Sequence, residues 1–363
     1  MKINFIDLKA QYQEYKKEID KEVLEVFSSA QFIGGEKLNS LETNLSKYTG
    51  AKHAIGCSSG TDALLLSLMA LNIGHGDEVI TTPFTFIATA EVIEFLGAKP
   101  VFVDIREDTY NIDTSKIRDV ISNNTKAIMP VSLYGQCADM EAINDISKEF
   151  NIPVIEDACQ SFGATYNGKK SCNLSTIGCT SFFPSKPLGA YGDGGAIFVN
   201  DDELAKKIRM LLNHGQGERY KHKYIGINGR LDAVQAAILN IKLKHFDKEV
   251  ELRDEIGSRY NDLLEDTDII TPKILDSNTS VFAQYSIRVK DRAAMVEKLN
   301  AKDIPTAVHY PIPLHLQEAF KNLGHEVGDF PISEMVASQI MSLPMSPYLQ
   351  EHEQDFIVES IKG

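Results

Sequence analysis

The sequence predicts an α/β fold, in which a mostly parallel sheet flanked by helices is followed by a smaller C-terminal α+β domain. Three observations predict it. Short apolar runs recur through the first part of the chain, separated by segments with apolar residues at helical spacing. Several of these runs end directly in polar or Gly-rich residues. From about Leu243 the pattern changes to a long charged helical segment and a lone strand-like run. Strands buried on both faces read as continuous apolar runs, and parallel strands need a crossover between them, usually a helix.

Taken in order, Leu8 to Ala30 reads as a helix, with apolar residues spaced among Lys and Glu, and Leu38 to Tyr48 as a second. Ala54 to Cys57 is a short strand, Thr61 to Leu71 an apolar helix, and Glu78 to Thr81 a strand. Ala88 to Leu96 is helical, and the strand Pro100 to Val103 follows. Further strands are expected at Ala127 to Val131, Val154 to Asp157, Cys179 to Phe183 and Gly195 to Val199. Beyond them lie a charged helix, Lys244 to Leu264, a strand at Tyr285 to Val289 and a helix at Ala293 to Leu299. The expected division is a large domain, 1–243, and a small domain, 244–363. In sheets of this kind the ligand lies beyond the carboxyl ends of the strands.

The 363 residues carry a formal net charge of −14. That balance argues against nucleic acid and anionic membranes as partners, because both favour a basic face. No apolar run is long enough to span a bilayer, and Met1 to Phe5 lacks the basic and apolar parts of a signal peptide. A cytoplasmic protein is expected. The five cysteines, Cys57, Cys137, Cys159, Cys172 and Cys179, include no Cys-x-x-Cys pair. Reduced thiols are expected, with no metal site.

Four features carry chemistry. Ser58-Ser59-Gly60-Thr61-Asp62-Ala63 joins a strand to an apolar helix. Gly60 permits close approach of a ligand, and a helix start offers free N–H groups, which together outline a phosphate cradle. The same residues would serve as an ordinary helix cap. Val154-Ile155-Glu156-Asp157-Ala158-Cys159-Gln160 runs an apolar strand into acid, so Asp157 could face a cationic ring nitrogen, cap a helix or bind a metal. Thr180-Ser181-Phe182-Phe183-Pro184-Ser185-Lys186-Pro187-Leu188-Gly189 sets a lysine among apolar and stiffening residues ahead of Gly192-Asp193-Gly194-Gly195. A fixed, partly desolvated lysine loses its proton more easily and becomes a nucleophile toward a carbonyl. The fourth feature is the pair of stretches Asn228-Gly229-Arg230 and Val308-His309-Tyr310-Pro311, with polar groups beside Gly or Pro turns. Arg230 could fork onto a carboxylate or phosphate, or form a structural ion pair.

Read jointly, these features supply what pyridoxal 5'-phosphate needs: backbone donors for the phosphate, a carboxylate for the ring nitrogen and a lysine amine for the aldehyde. The order of cradle, acid and lysine is more specific than any one part.

At these residues the sequence resembles the sugar aminotransferases of the DegT/DnrJ/EryC1/StrS family, which have the fold type I aminotransferase architecture. The similarity runs from Phe5-Ile6-Asp7-Leu8 to Ser342-Leu343-Pro344-Met345. The resemblance implies that Lys186 joins the cofactor aldehyde, that Asp157 partners the ring nitrogen and that Gln160 lies beside the ring hydroxyl. It places Gly60, Thr61 and Ser181 at the phosphate and Phe86 against the ring. It implies a homodimer in which Asn228 reaches the cofactor phosphate of the neighbouring subunit. One branch is similar in more detail, the aminotransferases of UDP-linked 2-acetamido-2-deoxy-3-oxo-glucuronate. Val131 to Asp139, His214 to Gly217 and Thr306 to Pro313 carry that likeness. It implies Arg230 on the uronate carboxylate, His309 and Tyr310 around the sugar, and L-glutamate as amino donor. Two alternatives are a 4-keto sugar nucleotide as substrate and a non-catalytic regulatory member of the fold.

Overall fold

The chain is seen in a computed structural model that describes residues 3–363. Seven strands build the main sheet: β1 His53–Cys57, β2 Glu78–Thr81, β3 Lys99–Phe102, β4 Thr125–Ile128, β5 Ile155–Asp157, β6 Ile177–Ser181 and β7 Gly195–Val199. β3, β2 and β4 pair in that order, all parallel. Parallel bridges Ile128–Val154 and Val131–Asp157 join them to β5, which continues into β6, β7 and β1. Only β7 runs antiparallel to its neighbours, so the sheet is mostly parallel, as expected.

The expected strand Ala127 to Val131 stops at Ile128 because Pro130 has no N–H to donate, leaving only bridges beyond it. The expected strand Cys179 to Phe183 is shifted to Ile177–Ser181, since the chain turns away at Pro184.

Helices cover the sheet on both faces. α1 Leu8–Ser29 and α2 Glu36–Thr49 come first, and α3 Gly60–Ala70 follows β1. α3 is apolar nearly all round and is buried accordingly. α4 Ala88–Phe95, α5 Met140–Phe150 and α6 Asp202–Leu211 complete this part.

α7 is one helix, Ala233–Leu264, starting well before the expected Lys244. Its first turns, rich in Ala, Ile and Leu, carry no charge until Lys242, so they show no amphipathic edge to mark them. They pack against α1 and α2. The predicted boundary between residues 243 and 244 therefore falls inside a helix. A second core nonetheless forms beyond it, where Tyr260, Leu264, Tyr285, Ile287, Leu343 and Ile357 are buried together. Its strands are β8 Tyr285–Arg288 and β9 Ile340–Leu343, paired antiparallel, and its helices include α8 Arg292–Asn300, α9 Pro331–Gln339 and α10 Glu351–Lys362. Among the described residues no helix is long and apolar enough to cross a membrane.

Candidate active site

The carboxyl ends of β5 and β6, the start of α3 and the His309–Tyr310 segment enclose a cavity of about 360 Å³. Gly60, Thr61, Phe86, Asp157, Gln160, Ser181, Lys186, His309 and Tyr310 all line it. Residues far apart in sequence meet here because the strands carrying them are neighbours in one sheet.

Asp157 is buried at the end of β5. The Thr89 hydroxyl donates to its Oδ2 at 2.7 Å, and the Cys159 N–H donates to its Oδ1 at 3.2 Å. Thr89 is in turn 3.0 Å from the Thr85 hydroxyl. The carboxylate is thus oriented from behind and presents acceptor capacity to the cavity.

Lys186 lies in the turn after β6, where its N–H donates to Phe183 O at 2.8 Å. Burial lowers the pKa of its amine, opposed by its neighbours Cys159 and Asp157. That is the direction a nucleophilic amine requires.

α3 points its N-terminus at the same space. The Ser59 hydroxyl accepts the Asp62 N–H at 3.0 Å, so the N–H groups of Gly60 and Thr61 stay available to a ligand. Glycine is required at position 60, since a Cβ there would lie 2.7 Å from Ser181 Cβ. The side chain of Ser181 occupies that space instead, beside the helix start.

Gln160 accepts the Tyr134 N–H at 2.8 Å and donates to the Tyr310 hydroxyl at 3.2 Å. His309 is held through Nδ1 by the Ser342 hydroxyl of β9, 3.0 Å away. Burial lowers its pKa and the charge of Lys186 acts the same way, which favours a neutral imidazole. The Phe86 ring, 53% exposed, leaves a face uncovered at the cavity.

Asn228 and Arg230 do not line this cavity. Asn228 is exposed and bridges to Asn213, and Arg230 donates to Asn213 Oδ1 at 2.7 Å. Arg230 makes no salt bridge among the described residues, and its Nε is buried without a partner, so the structural ion pair is not formed. Sequence reasoning missed Thr89, Gln284 and Cys159 as wall residues. Thr89 lies three residues beyond Phe86 on the first turn of α4, a placement that could have flagged it. Nothing local marks Gln284. The five cysteines are all free, and among the described residues no cluster of metal-binding side chains occurs.

The group needed to make this cavity reactive fits it. A helix N-terminus suits a phosphate, the oriented Asp157 suits a ring nitrogen, and the buried Lys186 amine suits an aldehyde. A cavity of this size takes a small cofactor with part of a substrate.

The sheet, its single antiparallel strand and the cavity at the strand ends define an aminotransferase of fold type I. The chain belongs to the DegT/DnrJ/EryC1/StrS aminotransferase family, whose model matches residues 13–362. It is 53% identical to a UDP-2-acetamido-2-deoxy-3-oxo-D-glucuronate aminotransferase from Pseudomonas aeruginosa, over 96% of each chain. It is 48% identical to a "pleiotropic regulatory protein" from Geobacillus stearothermophilus, over 99% of this chain and 98% of that one. Among solved structures, NtdA from Bacillus subtilis with bound cofactor PMP superposes with a TM-score of 0.91 at 32% identity, covering 99% of this chain and 82% of the other.

Proposed function

We propose that the protein uses pyridoxal 5'-phosphate to move an amino group from L-glutamate to the 3-keto carbon of a UDP-linked 2-acetamido-2-deoxy-3-oxo-glucuronate. The product is a 3-amino sugar nucleotide for surface polysaccharide synthesis. One observation carries the chemistry: the Lys186 amine, in the turn after β6, and the Asp157 carboxylate, at the end of the adjacent β5, open into one cavity walled by a helix N-terminus. The name of the Pseudomonas relative supports the choice of substrate.

When bound, the cofactor supplies an electron sink for the substrate carbon. Lys186 Nζ would hold the aldehyde, and its neutral amine is the base that would move the proton at the substrate carbon. Asp157, braced by Thr89, would keep the ring nitrogen protonated. Gly60, Thr61 and Ser181 line the side of the cavity that would take the phosphate, while Phe86 would cover the ring and Gln160 would lie by the ring hydroxyl. His309 and Tyr310 line the sugar side. The two substrates use one cavity in turn, which gives ping-pong kinetics.

Asn228 and Arg230 complete the cavity of a second copy, so the working unit is a homodimer. The exposure of Asn228, the buried and unpartnered Nε of half-buried Arg230, and the apolar surface left open at Ile225, 91% exposed, support this. The second core comes mostly from residues beyond 243, with Ile3 joining it, and this supports a division into a cofactor-binding domain, 1–243, and a small domain, 244–363.

The test is Lys186→Ala. The variant should stay folded and lose the cofactor's covalent attachment and all turnover; normal transamination by it sinks the proposal. For Arg230→Ala the expected loss in kcat/KM is larger on the uronate than on a keto sugar without the carboxylate, and equal losses remove Arg230 from that role.

The name of the Geobacillus relative favours a second reading, a regulatory protein that kept the fold. The complete set of Lys186, Asp157, Gln160 and Ser181 in one cavity weighs against it. A purified protein that takes up no cofactor would support it.

A further inference from the structure

α7 carries a polar stripe that the chemistry above does not use. Gln235, Lys242 and Glu249 follow one another at seven-residue spacing, so they share one face of the helix. Lys242 and Glu249 are 2% and 3% exposed. Burying a charge is costly unless it is given partners. Glu249 has them: both carboxylate oxygens accept from Gln11 Nε2, at 3.0 and 2.7 Å, and the Tyr348 hydroxyl donates to it at 2.8 Å.

Lys242 spends its charge differently. Its ammonium forms no salt bridge among the described residues and donates to the backbone carbonyl of Gly189, while lying 5.1 Å from the centre of the Tyr191 ring. Burial pushes its pKa down to about 8. Two turns earlier on the same face, Gln235 accepts the Tyr191 N–H at 2.9 Å and donates back to Tyr191 O at 3.3 Å. One face of α7 therefore grips the segment Gly189–Tyr191 on both sides.

That segment closes the turn bearing Lys186. The Ala190 N–H donates to Phe182 O at 2.7 Å across the neck of the turn. The turn is folded tightly on itself, since a Cβ on Gly189 would lie 2.4 Å from Pro184 O. A shift of the Gly189 carbonyl is therefore passed to Pro184 and on to Lys186. An apolar side chain at position 242 would fill the same space without the cost of a buried cation.

We propose that Lys242 is a positioning residue for Lys186: by holding the Gly189 carbonyl it fixes the turn so that the Lys186 amine meets the cofactor aldehyde. The proposal rests on the reading that Lys186 bonds the cofactor.

The experiment is a double-mutant cycle read by the dissociation constant for pyridoxal phosphate and by the pH midpoint of the visible absorption band. Lys242→Met should weaken cofactor binding roughly tenfold and move the pH midpoint while Lys186 is present. In the Lys186→Ala background the same change should alter binding by no more than about twofold, because Lys242 acts through Lys186. Lys242→Arg, which keeps charge and donor, should recover most of the loss. Equal weakening in both backgrounds would show a merely structural role and overturn the proposal, as would unchanged binding and midpoint. If circular dichroism shows Lys242→Met unfolded, Lys242→Gln, a neutral donor, carries the same cycle with the same outcomes. A wild-type protein whose visible band is identical to that of Lys186→Ala would overturn the parent reading instead, and this one with it.

Discussion

Glu156 and Asp157 are chemically alike, adjacent in sequence and both buried in β5, yet they serve opposite faces of the sheet. Successive strand residues point to opposite sides. Asp157 opens into the cavity and is oriented by Thr89 and the Cys159 N–H. Glu156 points into the packed interior, where the Ser171 hydroxyl donates to it at 2.9 Å and the Cys172 N–H at 3.0 Å. Burial there pushes its pKa up to about 7. The difference teaches that an acid at a strand end becomes a reactive group only when the pleat turns it toward open space. On the other side the same carboxyl becomes a structural staple, tying the 171–174 loop to the sheet.

The comparison breaks most readily at Asp157. Asp157→Asn keeps the shape and removes the charge, so kcat/KM should fall by about 100-fold or more while thermal stability changes little. A variant within tenfold of wild type would mean that this carboxylate does not support the ring. Thr89→Val tests the brace alone. Losing one hydrogen bond to a charged group should cost about 1.5–3 kcal/mol, seen as a roughly tenfold or greater loss in kcat. No change in kcat would show that Asp157 is oriented by other means.

Glu156→Gln should give the smallest change in activity, within about twofold, and a change in how stability depends on pH. The folded Glu156 carboxyl keeps its proton up to about pH 7, whereas an unfolded one releases it near its ordinary value of about 4.3. Its contribution to stability is thus fully present below that lower value and lost as pH rises through about 7. The full loss corresponds to ~4 kcal/mol as an upper bound. Gln cannot ionise, can accept from Cys172 and can donate to Ser171, so the variant should gain stability over wild type between about pH 5 and 8. Denaturant unfolding at several pH values measures this, and parallel curves for the two proteins would contradict the assignment.

Much of the site was legible because its residues stand in short, chemically loud stretches. Ser59 to Ala63 showed a Gly at a strand-to-helix turn, Val154 to Gln160 an apolar run ending in acid, and Ser181 to Gly189 a lysine among Pro and Phe. Thr89 and Gln284 were not legible, because an isolated Thr on a helix or Gln beside a strand carries no local signal. The start of α7 was missed for a related reason: a wholly buried turn of helix has no polar face, and periodicity is the only local cue to a helix. Lys242 illustrates the limit best. In the sequence it is an unremarked lysine just before the expected charged helix, and only packing shows it closed off from water against a backbone carbonyl.

The sequence by itself determined many of the strands and helices, because local periodicity and turn residues are properties of neighbours along the chain; it did not mark α5, α6, α9, α10, β9 or the start of α7. It also pointed to the kind of chemistry, since the helix start, the acid and the lysine stand in an order more specific than any one of them. Only the tertiary structure decided which carboxyl faces the cavity, that Lys186 opens into it while Lys242 is closed off against the Gly189 carbonyl, and that Asn228 and Arg230 lie outside it. Those outcomes depend on desolvation and on contacts between residues distant in sequence, and neither exists until the sheet and its helices have packed.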